Sequence, residues 1–186
     1  MEADKQFAII GNKNAITYKE VFPLIQQNRI WSGAMPMGVD ILFHIPKAIE
    51  KDFINEKQSG SAYRIVDNKV MARASGMWFT NIEHGRRHQP LQLLSMSDNL
   101  RFNKKIQGKN AYQQYDNYNA IEVPVTSAIP SDYDGVMGVP ISFLDKYCPE
   151  QFEIVKFRHG DDDKDLAING KTPYFRILIR HKQQNL

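Results

Sequence analysis

The apolar run FAII at residues 7–10 ends abruptly at Gly11 and Asn12, and it constrains the fold more than any other stretch of the chain. A short continuous apolar run bounded by turn residues is the signature of a strand covered on both faces. Such a strand needs neighbouring strands and covering helices. Either the remaining residues supply them, or they belong to polypeptide outside this sequence. Asn12 and Asn14 lie in the loop that leaves the strand's carboxyl end. In open α/β sheets that loop faces the ligand crevice, whereas the same two asparagines also serve simply to make a turn. Thr17 and Glu20 read as a capping box ahead of Val21, Phe22, Leu24 and Ile25, so a helix is expected there.

Further along, residues 29–33 read as a short strand and residues 47–53 as a short helix. The stretch YRIVDNKVMARASGMWFTNI suits antiparallel strands joined by tight turns at Asp67-Asn68 and Ser75-Gly76. Residues 91–119 are polar and poorly periodic and read as a long loop or insertion. AIEVPV reads as a short strand, and IPSDYDGVMGVP is rich in turn residues. A helix is expected from Pro140 through Phe143, Leu144 and Tyr147 to its stop at Pro149. FEIVKF and YFRILIR alternate apolar with charged residues and read as half-buried strands on either side of a solvated acidic loop, DDDKD.

Composition narrows the setting but not the function. The 186 residues are 42% hydrophobic, enough for one globular core, and the net charge of +3 permits a local nucleic-acid patch without indicating one. The single cysteine, Cys148, cannot form an internal disulfide and reads as a small core residue. No apolar stretch approaches a membrane span, and no signal-peptide pattern opens the sequence, so a cytoplasmic protein is the expectation.

HGRRHQP is the densest polar cluster. His84 and His88 are four apart, but Gly85 and Pro90 argue for a loop and no third ligand stands at useful spacing, so no metal is expected. Arg86 and Arg87 suit phosphates or a guanine edge, or form a solvated basic turn. Trp78 and Phe79 are adjacent on a strand and point to opposite faces; one joins a core, and the other needs two-sided burial or a stacked base. Tyr112, Tyr115 and Tyr118 stand among lysines and asparagines, as a nucleic-acid-facing loop or as packing anchors. Asp132 and Asp134 lack the further acid that a calcium loop requires.

Taken together, IIGNKNAITYKEVFPLI, MWFTNIEHGRRHQPL, YDNYNAIEVPVTSAIPSDYDGVMGVPISFLDKYCPEQFEI and RILIRHK resemble the carboxy-terminal half of EcoRI-type adenine-specific DNA methyltransferases. The resemblance runs over residues 7–157 and 174–182. It implies an S-adenosylmethionine-dependent enzyme of a restriction-modification system that methylates N6 of adenine in duplex DNA. The implied fold class is α/β: a partial Rossmann-like methyltransferase sheet of late strands, mixed parallel and antiparallel, with helices and long loops in a single domain over residues 1–186.

In such enzymes a Gly-rich loop after the first strand holds the cofactor, and an Asn-Pro-Pro-Phe loop after the fourth orients the flipped base. All nine prolines here are isolated and no Gly-x-Gly follows an early strand. The resemblance therefore implies a back half with no catalytic residue of its own, binding no S-adenosylmethionine alone. By the same resemblance Asn12 and Asn14 edge the crevice, Trp78 and Phe79 wall the target-base pocket, and Arg86, Arg87, His88, Lys104 and Lys105 face DNA. Two alternatives stand beside this reading. One is a stand-alone DNA-binding or regulatory module. The other is one half of a split methyltransferase, with the missing amino-terminal half as a separate chain or with homodimerisation across the open sheet edge.

Overall fold

The computed structural model describes residues 5–57, 59–158, 166–172 and 175–182; the acidic loop at 161–165 and the start of the last expected strand at Tyr174 lie outside the described residues. The chain is a mixed α/β structure built on three small sheets with few helices. The first sheet has the order β1-β6-β2, from Ala8–Asn12 (β1), Gly76–Thr80 (β6) and Trp31–Ser32 (β2), with both neighbours antiparallel to β6. The second has the order β3-β5-β4, from Ile41–His44 (β3), Lys69–Ala74 (β5) and Tyr63–Val66 (β4), all antiparallel. The third has the order β7-β8-β10-β9, from Ile121–Glu122 (β7), Met137–Pro140 (β8), Arg176–His181 (β10) and Phe152–Arg158 (β9); only β7 and β8 are parallel. The α-helices are Phe22–Gln26 (α1), Lys47–Glu56 (α2) and Met96–Phe102 (α3). Among the described residues no helix is long and apolar enough to cross a membrane.

The main core joins the first and third sheets. Met77 and Phe79 of β6 point inward onto Ile16, Phe22 and Ile25, and beyond them Phe143, Phe152, Ile177 and Ile179 close the centre. Helix α1 is the spacer: Phe22 lies 5.1 Å from the Phe157 ring, and Gln26 Nε2 donates to the carbonyls of Ile154 and Val155 on β9. Cys148 is buried, as a small core residue should be.

Several expectations change. β1 is not covered on both faces: it is the edge of its sheet, with Ile9 54% and Ile10 48% exposed. Among the described residues nothing pairs with its free side. The capping box at Thr17 does not form; Asn12 instead caps a 3-10 turn over Lys13–Thr17, and α1 starts at Phe22, where Pro23 sits in the first turn without needing a donor. Ser75-Gly76 makes no turn, because the chain passes straight from β5 in one sheet to β6 in another. The segment after Pro140 is a 3-10 helix, Ile141–Lys146, rather than an α-helix. β10 is not half-buried: Ile177, Leu178 and Ile179 are all buried, because Ile177 and Ile179 face the main core while Leu178 faces a second cluster with Tyr115, Ala120 and Leu166.

The turn at Asp67-Asn68 does form as expected. Both residues have positive φ, 49° and 59°, the backbone that closes a two-residue hairpin in register with twisted strands.

Candidate functional site

At the carboxyl end of β1 the chain turns through Asn12. Its Oδ1 accepts from the backbone N–H of Asn14 at 2.9 Å, and Thr17 Oγ1 donates to the Asn14 carbonyl at 2.8 Å. Both asparagines are exposed. Asn12 thus spends its side-chain oxygen on the turn, while Asn14 lines a cavity of about 600 Å³ together with Lys13, Tyr18, Met37, Ser142 and Phe175. Lys13, Tyr18 and Met37 carry no sequence signal for this role, since each is brought there by the turn or by a loop tens of residues away.

Asp145 holds one member of this lining, Met37, in place. Its carboxylate accepts the backbone N–H of Met37 at 2.9 and 3.0 Å, which pins the 34–39 loop against the 3-10 helix Ile141–Lys146. Burial pushes the Asp145 carboxyl up from its ordinary value, against the lowering pull of the Met37 N–H and of the Arg86, Lys13 and Lys146 charges. Arg86 and Lys13, from opposite ends of the sheet, therefore share one carboxylate's field.

The HGRRH segment forms a 3-10 turn, Gly85–His88, whose three basic side chains have three different fates. Arg86 is exposed and donates to the Ala34 carbonyl. Arg87 is 7% exposed: its guanidinium lies 3.7 Å from the Trp31 ring centroid and donates to Glu83 Oε1 and Asn28 Oδ1, both at 2.9 Å. A buried guanidinium held in this way, with both terminal nitrogens bonded and its Nε without a partner among the described residues, braces β2 and is not presented to a phosphate, so of the two arginines only Arg86 stands at the surface. His88 is exposed and clamped between Glu83 at 2.8 Å and Glu150 at 2.9 Å.

Hydrogen bonds from Glu83 and Glu150 raise the His88 pKa. Its folded value therefore lies above that of the unfolded chain. The stabilisation from this clamp is complete below about pH 6.5, the ordinary histidine value, and is lost as pH rises through the raised folded value. Urea titrations across that window should show wild-type stability falling with pH, and His88→Ala should flatten the slope. An unchanged slope in the variant would show that the clamp is not the source.

Trp78 and Phe79 separate by face as adjacent strand residues must. Phe79 is buried against α1, whereas Trp78 is exposed on the outer face of the first sheet, opposite Ile10. Lys104 and Lys105 are exposed just beyond α3, in residues 91–119, where the only α-helix among the described residues is α3. The structure thus gathers Lys13, Asn14 and Arg86 around the 34–39 loop. Trp78 lies on the first sheet's outer face, and the lysine pair lies on a separate projection. Among the described residues no group of three or more His, Cys, Asp or Glu side chains is assembled for a metal ion.

Comparison with known proteins bears on all of this. A family model described as adenine-specific methyltransferase EcoRI matches residues 1–182. The chain is 45% identical over 184 residues to the type II methyltransferase M.EcoRI of Escherichia coli, covering 97% of this chain and 51% of that protein. It is 28% identical over 203 residues to the type II methyltransferase M.MpnI of Mycoplasma pneumoniae, covering 98% of this chain and 58% of that protein. A third relative, the type II methyltransferase M.MgeORF184P of Mycoplasma genitalium, is also 28% identical, with 59% of its length covered. The chain spans little more than half the length of these curated relatives. No solved structure matches it.

Proposed function

The chain belongs to the adenine-specific methyltransferase EcoRI family, and we propose that it acts as the carboxy-terminal part of an S-adenosylmethionine-dependent DNA adenine-N6 methyltransferase of a restriction-modification system, in the cytoplasm. The observation that carries this division of labour is the open edge of β1, with Ile9 and Ile10 exposed on a chain that spans about half of its relatives. Apolar strand edges are ordinarily paired or covered. In this reading β1-β6-β2 is the tail of a larger Rossmann-like sheet, completed by an amino-terminal half supplied in the same polypeptide or as a separate chain.

The methyl donor, when bound, supplies an electrophilic methyl group. Holding its nucleoside calls for an apolar slot for the base and a free carboxylate for the ribose diol. The 600 Å³ cavity has Tyr18 and Phe175 but, among the described residues, no acid in its lining. A second cavity of about 790 Å³ contains Asp134, but among the described residues no Phe, Tyr or Trp lines it, and its Glu153 is paired with Arg180. Neither lining fits the donor, so the donor is assigned to the other half. This chain's residues then act on DNA: Arg86 takes a phosphate, with His88 on the same turn and Arg87 propping that turn from inside, and Lys104 and Lys105 take phosphates from their separate projection. Trp78, backed by Phe79, walls the space that receives the flipped base, and Asn14 edges the crevice.

Calorimetry of the purified chain with S-adenosylmethionine should give no saturable heat. Mixing the chain with a polypeptide spanning the remaining length of a relative should yield methyl transfer into duplex DNA that neither piece supports alone. Micromolar donor binding, or methyl transfer, by the 186-residue chain alone would overturn the division of labour.

A further inference from the structure

Residues 100–105 form a projection with a rigid base. Three side chains point inward and anchor it: Asn99 and Ile106 are fully buried, and between them Asn103 ties the segment down. Asn99 Nδ2 donates to the Leu94 carbonyl at 3.2 Å. Asn103 Nδ2 donates to the Ser127 carbonyl at 2.9 Å and to Asn99 Oδ1 at 3.3 Å, while Asn103 Oδ1 accepts from the Lys105 backbone at 3.1 Å. Ser95 caps the amino end of α3 through the Asp98 N–H, and Gln107 Nε2 donates to the Arg101 carbonyl at the other end. Burying an amide costs free energy unless every bond is made, and here the bonds lock the backbone.

What this base holds out is unusual in composition. Phe102 is 58% and Leu100 42% exposed, with Arg101, Lys104 and Lys105 exposed around them. The Arg101 guanidinium lies 4.9 Å from the Phe102 ring centroid. Among the described residues none of these three cations is in an ion pair. Phe102 and Arg101 are residue types that the core of a protein interface favours, but the two lysines beside them are depleted there. Unpaired cations surrounding an exposed aromatic and an aliphatic side chain match a polyanion that also offers flat apolar faces, which is nucleic acid.

We infer that residues 100–105 are a DNA-engaging wedge, in which Lys104 and Lys105 hold phosphates while Phe102, steadied by Arg101 and flanked by Leu100, packs against the base stack. The inference rests on the reading of the chain as the DNA-contacting part of a methyltransferase, and adds an apolar element to it. A rigid mount is what a wedge requires, since a mobile side chain would yield before a base step opened.

The test is fluorescence anisotropy of a labelled duplex titrated with the 186-residue chain at several salt concentrations. Each lysine-to-glutamine change should flatten the plot of log affinity against log salt by about 0.9, and the double variant by about 1.8. Phe102→Ala should weaken binding about tenfold with the salt slope unchanged, a size typical of one lost base contact. Phe102→Trp, which keeps a ring, should retain wild-type affinity. Because the ring is mostly exposed, both variants should melt like the wild type. If the wild-type chain binds with steep salt dependence but Phe102→Ala binds equally well, the wedge is refuted and the DNA-contacting reading stands. If the wild-type chain ignores duplex DNA at low salt, both fall.

Discussion

Replacing Glu122 by alanine should cost about 3–5 kcal/mol of folding stability, the range seen when one partner of a buried ion pair is removed. Glu122 lies on β7 and Arg176 on β10, with β8 between them. Arg176 Nε donates to both carboxylate oxygens at 3.0 Å, and Nη2 donates to Oε1 at 2.6 Å, with the two side chains only 12% and 11% exposed. The Tyr115 hydroxyl donates to the same carboxylate, and burial followed by the Glu122 charge drives its pKa far above the ordinary tyrosine value. Gly138 makes the arrangement possible: a Cβ there would collide with the Tyr115 oxygen, so any side chain at position 138 would push the phenol off its acceptor. Removing the carboxylate takes the charge-assisted bonds from the Arg176 guanidinium and the acceptor from the Tyr115 phenol in a low-dielectric layer, whereas replacing both charged partners by apolar residues removes the demand with the supply. Urea denaturation should therefore show Glu122→Ala strongly destabilised and Glu122→Leu with Arg176→Met much less so. A loss below about 1 kcal/mol for Glu122→Ala would mean that water reaches the pair, since exposed pairs are worth that little.

Phe143→Ala should be comparably damaging, at about 3–5 kcal/mol for a fully buried phenylalanine reduced to alanine. Phe143 is buried in the 3-10 helix Ile141–Lys146, and its ring meets Tyr147 at 5.8 Å and Phe152 edge-on at 5.3 Å. It belongs to the cluster where residues of the first sheet, α1 and the third sheet meet, so the cavity left behind has rigid walls on several sides and little means to collapse. Against a total stability of about 5–15 kcal/mol for a domain of this size, such a loss is a large fraction. Phe43→Ala, on the exposed end of β3, is the control and should shift the denaturation midpoint little. Equal effects for the two variants would show that the core does not close at Phe143.

The contrast between what the sequence revealed and what it hid is physical. Asp67-Asn68 was legible because a two-residue turn is decided by the φ preferences of its own residues. The strands β9 and β10 were legible as strands from their alternating apolar residues, whereas the short helix expected at 47–53, in a stretch without a regular period, runs on to Glu56. The exposure of β1 was not, because apolar composition encodes a need for cover and not whether the described residues supply it. β8 escaped because four residues, MGVP, lie among turn formers and gain strand geometry only by pairing with β7 and β10. In the candidate site, an Arg-Arg pair in a loop reads as surface charge. Nothing local predicts that Trp31, across the chain, would draw Arg87 inside and leave Arg86 out. The asparagines at 12 and 14 were legible as turn formers, but the cavity beside Asn14 depends on Met37 and Phe175, which no local pattern links to it.

The path of the chain between β2 and β6 has its own consequence. It leaves the first sheet after Gly33, whose N–H donates to the Trp78 carbonyl, and re-enters at Gly76, so the second sheet and α2 hang from two adjacent strands like a bracelet charm on a closed link. An excursion with neighbouring attachment points can be exchanged, enlarged or trimmed without re-threading the rest. Homologous sequences could therefore diverge widely in residues 40–75 while their framework, including the 34–39 loop tied to Lys13, Arg86 and Asp145, stays superimposable, and chimaeras that trade only this sheet-and-helix cassette should fold.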